Sequence, residues 1–512
     1  MSTQTLKLPL YEKIGYAMGD AAANLVWRGA LAYLAVFYTD VFGLTAAAAA
    51  LLFLVVRLSD GITDIIMGMI ADRTESRWGK FRPWILFSTP LLGLFMILCF
   101  TTPDWSAQNK LIYAYITYIG LTLCYTLNNV PYSALMGVMT ESDVERTSLS
   151  AFRFAGAFMG GLLVMGFLPY FVNLFGQGDN AMGYQYTMYL FAAVLVVLMV
   201  ITFTTTKERL KPVVSNSAGL KADLWDLTKN LPFILLPLMA ITLFFYFRNL
   251  TTAIIFVLVM TAMWYAIQYL LKRPRDKISA TQQDMIDLIT NKPWLILLGM
   301  GFLTMMFNGI KYGVIAYYFK YIVGDELMTG QFFIALLVVS IFGALSTSYL
   351  ARIFGRRWLF IGSLIIGSAL TICMYWVPQG NVTMVFVLGC GAEFFAAIFP
   401  TLFFSLLGDS ADYSEWKNGR RATGLVYSAG TFVQKTGGGF AGALVLIVLA
   451  SYGYDGMDPS SVADTLPGIK LLMSWIPAAF GIAAAVLMLF YPITDKQQQR
   501  MTDELMLRRA KA

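Results

Sequence analysis

Long apolar runs separated by short polar stretches recur along the whole chain. A helix needs about 20 apolar residues to cross a bilayer. By that measure the pattern predicts spans near 15–38, 45–71, 83–101, 111–139, 150–174, 184–205, 293–319, 330–351, 358–377, 382–407, 422–451 and 468–491. Two further apolar segments, near 232–247 and 250–271, fall between the sixth and seventh spans. The pattern predicts an all-α polytopic membrane protein. Its parts are a six-helix bundle over 1–205, a linker over 206–292 carrying an extra helix pair at about 232–271, a second six-helix bundle over 293–492, and a tail over 493–512.

The basic residues orient these spans. With the amino terminus on the cytoplasmic side, 28 Lys and Arg fall on that side. Only Lys110, Arg248, Lys320 and Lys470 fall opposite. Such a bias places both termini in the cytoplasm of a cell whose inner membrane holds the chain. Basic clusters at Lys207–Lys229 and Lys272–Lys277 flank the extra pair, so both of its segments cross or neither does. Pro232–Phe247 is short for a span, which leaves a dipping hairpin open. The sequence Asp223-Leu-Trp-Asp226 through Pro232-Phe233 is echoed 61 residues later by Asp284-Met-Ile-Asp287 through Pro293-Trp294, as a partial duplication would leave it.

Composition agrees with the pattern. Of 512 residues, 58% are hydrophobic and 13% charged, with mean hydropathy +0.65. Soluble domains carry about 25% charged residues, and a larger core cannot absorb the difference, since cores stop growing at about 250–300 residues. The net charge of +7 is topological rather than a nucleic-acid footprint. Met1–Lys13 is polar and the first apolar run is too long for a signal peptide, so none is expected. Cys99, Cys124, Cys373 and Cys390 lie in apolar stretches without metal spacing and read as small core residues. Histidine is absent, so proton or ion chemistry falls to carboxylates and lysines. A membrane-embedded transferase would need a large ordered loop bearing catalytic groups. The longest loops, around 206–230 and 272–292, are short. Transport is the expected activity, with no enzyme chemistry and no cofactor.

Two loops suggest a repeated half. Gly68 to Trp84 contains Asp72, Arg73, Arg77, Gly79, Lys80 and Arg82; Ala351 to Arg357 contains Arg352, Gly355, Arg356 and Arg357. Both are tight, basic and glycine-containing, and both follow the second helix of a half. That correspondence predicts a major-facilitator fold, whose substrate sites lie near the midplane. Arg57, Asp72, Arg73, Gly79 and Lys80 are the expected gating residues.

An ionisable group at mid-bilayer costs about 2.5–3.5 kcal/mol on insertion scales and is a functional candidate by default. The second span carries Arg57, Asp60 and Asp64, within about 60° of one another on a helix. Paired carboxylates one turn apart suit Na⁺ or an exchangeable proton. The first span carries Asp20, Asn24 and Arg28 on one face, beside Trp27; the fourth carries Thr126, Asn129 and Ser133. Arg153, Lys311, Glu393, Tyr427, Thr431 and Lys435 lie in later spans. Amides, hydroxyls, cations and an indole suit the hydroxyls and apolar face of a sugar, although any one of them alone could be interhelical glue.

The motifs Tyr16-Ala-Met-Gly19-Asp20-Ala-Ala-Ala-Asn24, Phe37-Tyr38-Thr39-Asp40, Arg57-Leu-Ser-Asp60-Gly-Ile-Thr-Asp64, Gly79-Lys80-Phe-Arg82-Pro83-Trp84, Tyr125-Thr126-Leu-Asn128-Asn129-Val-Pro131-Tyr132, Glu145-Arg146 to Arg153 and Asp412-Tyr413 to Arg421 resemble those of the glycoside–pentoside–hexuronide:cation symporters, the melibiose-carrier family. The resemblance runs from about residue 11 to 492, omitting the extra pair. It implies alternating access and uptake of a sugar driven by Na⁺, H⁺ or Li⁺. It implies a cation site at Asp60 and Asp64 with Thr126, and Asn129 is assigned to it. It implies a sugar site with Arg153 and residues of the first and fourth spans. The assigned set is Asp20, Asn24, Trp27, Arg28, Asn129, Ser133, Arg153, Lys311, Thr431 and Lys435. Asn24 and Asn129 stand where the melibiose carrier has aspartates, and Ser133 where it has a tryptophan. With Arg28, Arg153, Lys311 and Lys435 in the spans, the charge balance points to an acidic sugar such as a hexuronide. A lysolipid, carried by distant relatives, is the alternative cargo.

Overall fold

The computed structural model describes residues 7–72, 74–140, 143–209, 250–272, 286–287, 289–418, 423–494, 497–498, 500–501 and 503–505. Among them the regular elements are helices. Helix α1 runs Leu10–Gly29, passes through a π-helical turn at Ala30–Leu34 and ends at Ala35–Asp40. It is followed by α2 (Ala46–Asp72), α3 (Arg82–Cys99) and α4 (Ala107–Met139). Helix α5 runs Asp143–Gly161, through a π-helical turn at Leu162–Gly166, to Phe167–Gly176. Helix α6 is Asn180–Thr205 and α7 is Leu250–Lys272. Then come α8 (Lys292–Tyr318, with a π-helical turn at Phe319–Val323), α9 (Leu327–Phe354) and α10 (Arg356–Cys373). Helix α11 is broken into Val382–Ala396 and Ile398–Asn418, α12 is Thr423–Ser451, and α13 is broken into Pro459–Met473 and Trp475–Met488.

All twelve expected spans are helices. Of the extra pair, the second segment is α7, and the first, near 232–247, lies outside the described residues. Ten helices among the described residues are long and apolar enough to cross a membrane. Neither α1 nor α2 is among the ten; these two carry Asp20 and Arg28, and Arg57, Asp60 and Asp64. Sequence sets several helix ends locally. The Asp179 carboxylate accepts from the Met182 N–H to start α6, and the Asn381 side chain accepts from the Met384 N–H to start α11.

The chain forms two compact units. Unit 1 comprises Met1–Ile234, Phe319–Leu337 and Leu449–Thr465; unit 2 comprises Leu235–Tyr318, Val338–Val448 and Leu466–Ala512. In lipid, helices associate through close packing and interhelical hydrogen bonds rather than through the hydrophobic effect. In unit 1, α1 and α5 use both. A Cβ on Gly156 or Gly160 would lie 2.0 Å from the carbonyl oxygens of Ala17 and Ala21, so only glycine allows this approach. Tyr16 and Tyr132 stack at 4.7 Å, and the Tyr132 hydroxyl donates to the Tyr16 carbonyl at 2.7 Å, binding α1 to α4. Helices α3 and α4 are joined by Asn128, whose amide donates to the Ile85 carbonyl, Ser88 Oγ and Thr89 Oγ1. In unit 2, a cluster including Leu297, Phe360, Phe399, Phe403 and Met488 forms the apolar core. Met501 and Leu505 of the tail are also buried.

Candidate functional site

Two carboxylates in α2 meet one hydroxyl in α4. Thr126 Oγ1 lies 2.8 Å from Asp64 Oδ1 and 3.3 Å from Asp60 Oδ1. Asp60 and Thr126 are buried, and Asp64 is half-buried. The one-turn spacing read from the sequence thus converges on a compact oxygen cluster. Among the described residues, no group of three or more His, Cys, Asp or Glu could hold a metal. The oxygens suit a monovalent cation or a proton rather than a tightly caged divalent ion. A small cavity of about 20 Å³ reaches Asp60, lined by Trp27 and Ala30 of α1 and by Tyr118, Thr122 and Tyr125 of α4. Trp27 and Tyr125 stack at 5.7 Å on its wall. Asn129 is half-buried one turn beyond Thr126, and no hydrogen bond joins it to either carboxylate among the described residues.

A second polar feature of unit 1 is a hydrogen-bonded seam. Arg153 Nη2 donates to Ser133 Oγ at 3.2 Å, and Arg153 Nε pairs with Asp20 Oδ1 at 3.3 Å. The Arg153 guanidinium also lies 5.5 Å from the Tyr132 ring centre. One turn along α1, Asn24 Nδ2 donates to the Asp20 carbonyl at 2.9 Å. Another turn along, Arg28 Nε donates to Asn24 Oδ1 at 3.1 Å. Helical spacing puts Asp20, Asn24 and Arg28 on one face, and the α5 packing brings Arg153 to it. The sequence pattern had named Ser133, Arg153, Asp20, Asn24 and Arg28, and the structure links them into one chain.

The remaining candidates divide. In unit 2, Lys311 Nζ and Glu393 Oε2 are 2.9 Å apart and both residues are buried. Glu393 Oε1 accepts from Tyr312 Oη at 2.7 Å and from Ser340 Oγ at 2.8 Å. On α12, Lys435 is half-buried and Thr431 exposed. Of the expected gating residues, Gly79 has φ 105°, and the backbone N–H groups of Lys80, Phe81 and Arg82 all donate to the Glu208 carboxylate at 2.8–3.0 Å. The side chains of Arg57 and Asp72, all of Arg73, and the Tyr427 side chain lie outside the described residues.

Three groups escaped the sequence reading. Glu208 caps the start of α3, and its neighbour Arg209 forms a bidentate pair with buried Glu12 at 2.7 and 2.8 Å. The Glu12 hydrogen bonds push the Arg209 guanidinium up, further from losing its proton. Asp40 accepts from Lys320 Nζ at 2.5 Å and from Tyr321 and Tyr454 Oη at 2.6 Å, all within unit 1. Tyr125 completes the aromatic wall. Only Asp40 and Tyr125 lay in motifs that had been singled out, and neither had a role assigned.

A family model described as MFS/sugar transport protein matches residues 15–266 and 244–495. The chain belongs to that family. It is 31% identical over 508 residues to the inner membrane symporter YicJ of Escherichia coli K12, covering 97% of this chain and 95% of that protein. It is 30% identical to the isoprimeverose transporter of Lactiplantibacillus pentosus, covering 97% and 91%. It is 27% identical to the glucuronide carrier protein homolog of Escherichia coli K12, covering 96% and 94%. Among solved structures, the crystal structure of a D-xylose–proton symporter matches with TM-score 0.59 at 14% identity, over 95% of this chain and 98% of that one. A structure of proton-dependent oligopeptide transporters matches with TM-score 0.63 at 13% identity, over 97% and 100%. At these identities the structural likeness establishes the major-facilitator fold. The protein is a multi-pass membrane transporter of the sugar-transport class, not an enzyme.

Proposed function

We propose that this family member moves a sugar or glycoside into the cytoplasm together with a monovalent cation, Na⁺ or H⁺, held at Asp60, Asp64 and Thr126. The observation that carries the reading is the convergence of two membrane-embedded carboxylates on one threonine hydroxyl. Two ionised carboxylates at this spacing repel, so a cation or a proton between them lowers their energy. Thr126 offers a hydroxyl that can donate to a carboxylate or turn its oxygen to Na⁺. The cation thereby links α2 to α4.

Cargo recognition falls to the seam one helix away. Arg153, Asp20, Asn24 and Ser133 present donors and acceptors in alternation, as sugar hydroxyls require, and Trp27 and Tyr125 offer aromatic faces. Helix α4 carries both Thr126 and Ser133, so cation occupancy at one bears on the sugar site at the other. That shared helix is the physical route for coupling, with both termini cytoplasmic and access alternating between the two sides. The names of relatives, a putative glycoside/cation symporter and an isoprimeverose transporter among them, support this class of cargo.

The test is uptake into membrane vesicles, with sugars crossed against imposed Na⁺ and pH gradients. At least one sugar should accumulate against its gradient under one cation gradient and stop doing so when that gradient is collapsed. Accumulation that ignores both gradients would remove the symport reading.

A further inference from the structure

The cations of the transporter interior are not equivalent. Arg153 is neutralised by Asp20 and Lys311 by Glu393. Arg28 is held differently. Its Nε donates to the amide oxygen of Asn24, its guanidinium lies 5.6 Å from the Phe158 ring centre, and its stem runs against Gly161, where a Cβ would lie 2.5 Å from Arg28 Cδ. Among the described residues, no carboxylate stands within ion-pair distance of Arg28, and its two terminal nitrogens have no hydrogen-bond acceptor. The side chain is therefore fixed through its stem and Nε, while the Nη1/Nη2 edge keeps its donors, and Asp20, the carboxylate whose field reaches it, is already paired with Arg153.

Asn24 makes this possible. Its amide is itself fixed, because Nδ2 donates to the Asp20 carbonyl while Oδ1 faces Arg28. An asparagine orients the guanidinium without cancelling it; an aspartate at the same place would orient it and cancel it. A half-buried arginine carrying an uncancelled charge is costly in a membrane. The arrangement becomes favourable when a ligand supplies the anion, and the free edge of a guanidinium grips an oxyanion bidentately.

We propose that Arg28, set by Asn24, Phe158 and Gly161, is the subsite for the anionic group of an acidic sugar, and that the Asn24–Arg28 pair selects such sugars over neutral ones. The inference rests on the sugar-symport reading and deepens it. A carboxylate and a sulfonate share the required oxyanion chemistry. Carried with one monovalent cation, a monoanionic sugar moves no net charge, so the membrane potential does not drive it.

The experiment uses the full chain in proteoliposomes and reads inhibition of sugar counterflow by methyl β-D-glucuronide, methyl β-D-glucoside and 6-sulfonated glucose. A charge-assisted bond is worth about 1.5–3 kcal/mol, so at least one acidic sugar should inhibit at a concentration about tenfold or more below the neutral glycoside. Comparing the two acids tells carboxylate from sulfonate. R28Q and N24D should each abolish the preference. The readout is a ratio within one variant, so expression level cancels, and N24D still decides if R28Q fails to fold. A wild-type protein that prefers the neutral glycoside, or an N24D protein that keeps the acidic preference, overturns the proposal. Absence of counterflow with every sugar would instead count against the sugar-symport reading itself.

Discussion

The two units treat membrane-embedded charge in opposite ways. In unit 2, Lys311 and Glu393 form a closed set: Glu393 takes one ammonium and two hydroxyl donors, and both residues are buried. In unit 1, the charges form an open set, one that adjoins a cavity. Asp60 and Asp64 share one hydroxyl beside a cavity, and the seam from Ser133 to Arg28 ends in a cation with a neutral partner. A closed set has the chemistry of a helix tie, here joining α8, α9 and α11. An open set has the chemistry of a site, because a cation or ligand can reach it through that cavity. The presence of charge in a span therefore marks a candidate, and the state of its partners separates tie from site.

The largest effect expected from this contrast is at the open carboxylates. Asp60→Asn and Asp64→Asn should each reduce gradient-driven accumulation to the level of vesicles lacking the protein while some exchange persists. If either variant still concentrates sugar, the cation site lies elsewhere. Next comes the closed pair. Lys311→Met or Glu393→Gln alone strands a buried charge, at a cost of about 3–5 kcal/mol, whereas the double replacement by apolar residues should be close to neutral. Melting temperature in detergent should fall in each single variant and recover in the double, which should still transport. A double variant that is stable but inert would turn the tie into a site. The matching experiment in unit 1 is Arg153→Lys. It keeps the charge but loses the fork between Asp20 and Ser133, and should weaken sugar affinity without loss of expression.

Much of this was legible in the sequence because membrane folding leaves few choices. Twelve apolar runs had to become helices, since only helices satisfy the backbone internally in lipid. The grouping of Asp20, Asn24 and Arg28, and of Asp60 with Asp64, followed from helical spacing alone. What the pattern could not give was pairing across helices. Glu393 sits on α11 and Lys311 on α8, 82 residues apart, and nothing in either run announces the other. The same holds for Glu208, 128 residues from Lys80, and for Asp40, which meets Tyr454 across 414 residues. The charge count that pointed to an acidic sugar treated four cations alike. Pairing removes Arg153 and Lys311 from the spare charge and leaves Arg28 and Lys435, of which Arg28 lies in the seam.

A smaller effect is expected at the Glu208 cap. Its carboxylate receives three backbone donors from the tight turn at Gly79, and a Cβ on Gly79 would lie 2.4 Å from the Glu208 carboxyl carbon. Glu208→Gln keeps one acceptor and loses the charge that strengthens all three bonds. The expected loss is about 1.5–3 kcal/mol, seen as a lower melting temperature and faster proteolysis at Lys80 and Arg82, with sugar affinity unchanged. A change in affinity at unchanged stability would place this turn in the transport cycle rather than in the scaffold.

The smallest effect should come from the segment that belongs to neither kind of charge set. Helix α7 carries no acidic residue, and Leu258, Trp264, Tyr265 and Tyr269 are each more than half exposed. Such side chains suit lipid. The motifs that carry the family resemblance lie outside residues 232–271. The hydrogen bonds given above for the carboxylate cluster, the seam and the Lys311–Glu393 tie run between other helices. Replacing residues 232–271 with a short polar linker removes both apolar segments together, which by the basic residues of the flanks is expected to preserve the orientation of α8 onward. Vesicle uptake should persist, with the same cation dependence and the same ranking of sugars. A deletion that reaches the membrane, melts normally and transports nothing would show that α7 does more than face lipid, and would require a third class of region beside the open and closed charge sets.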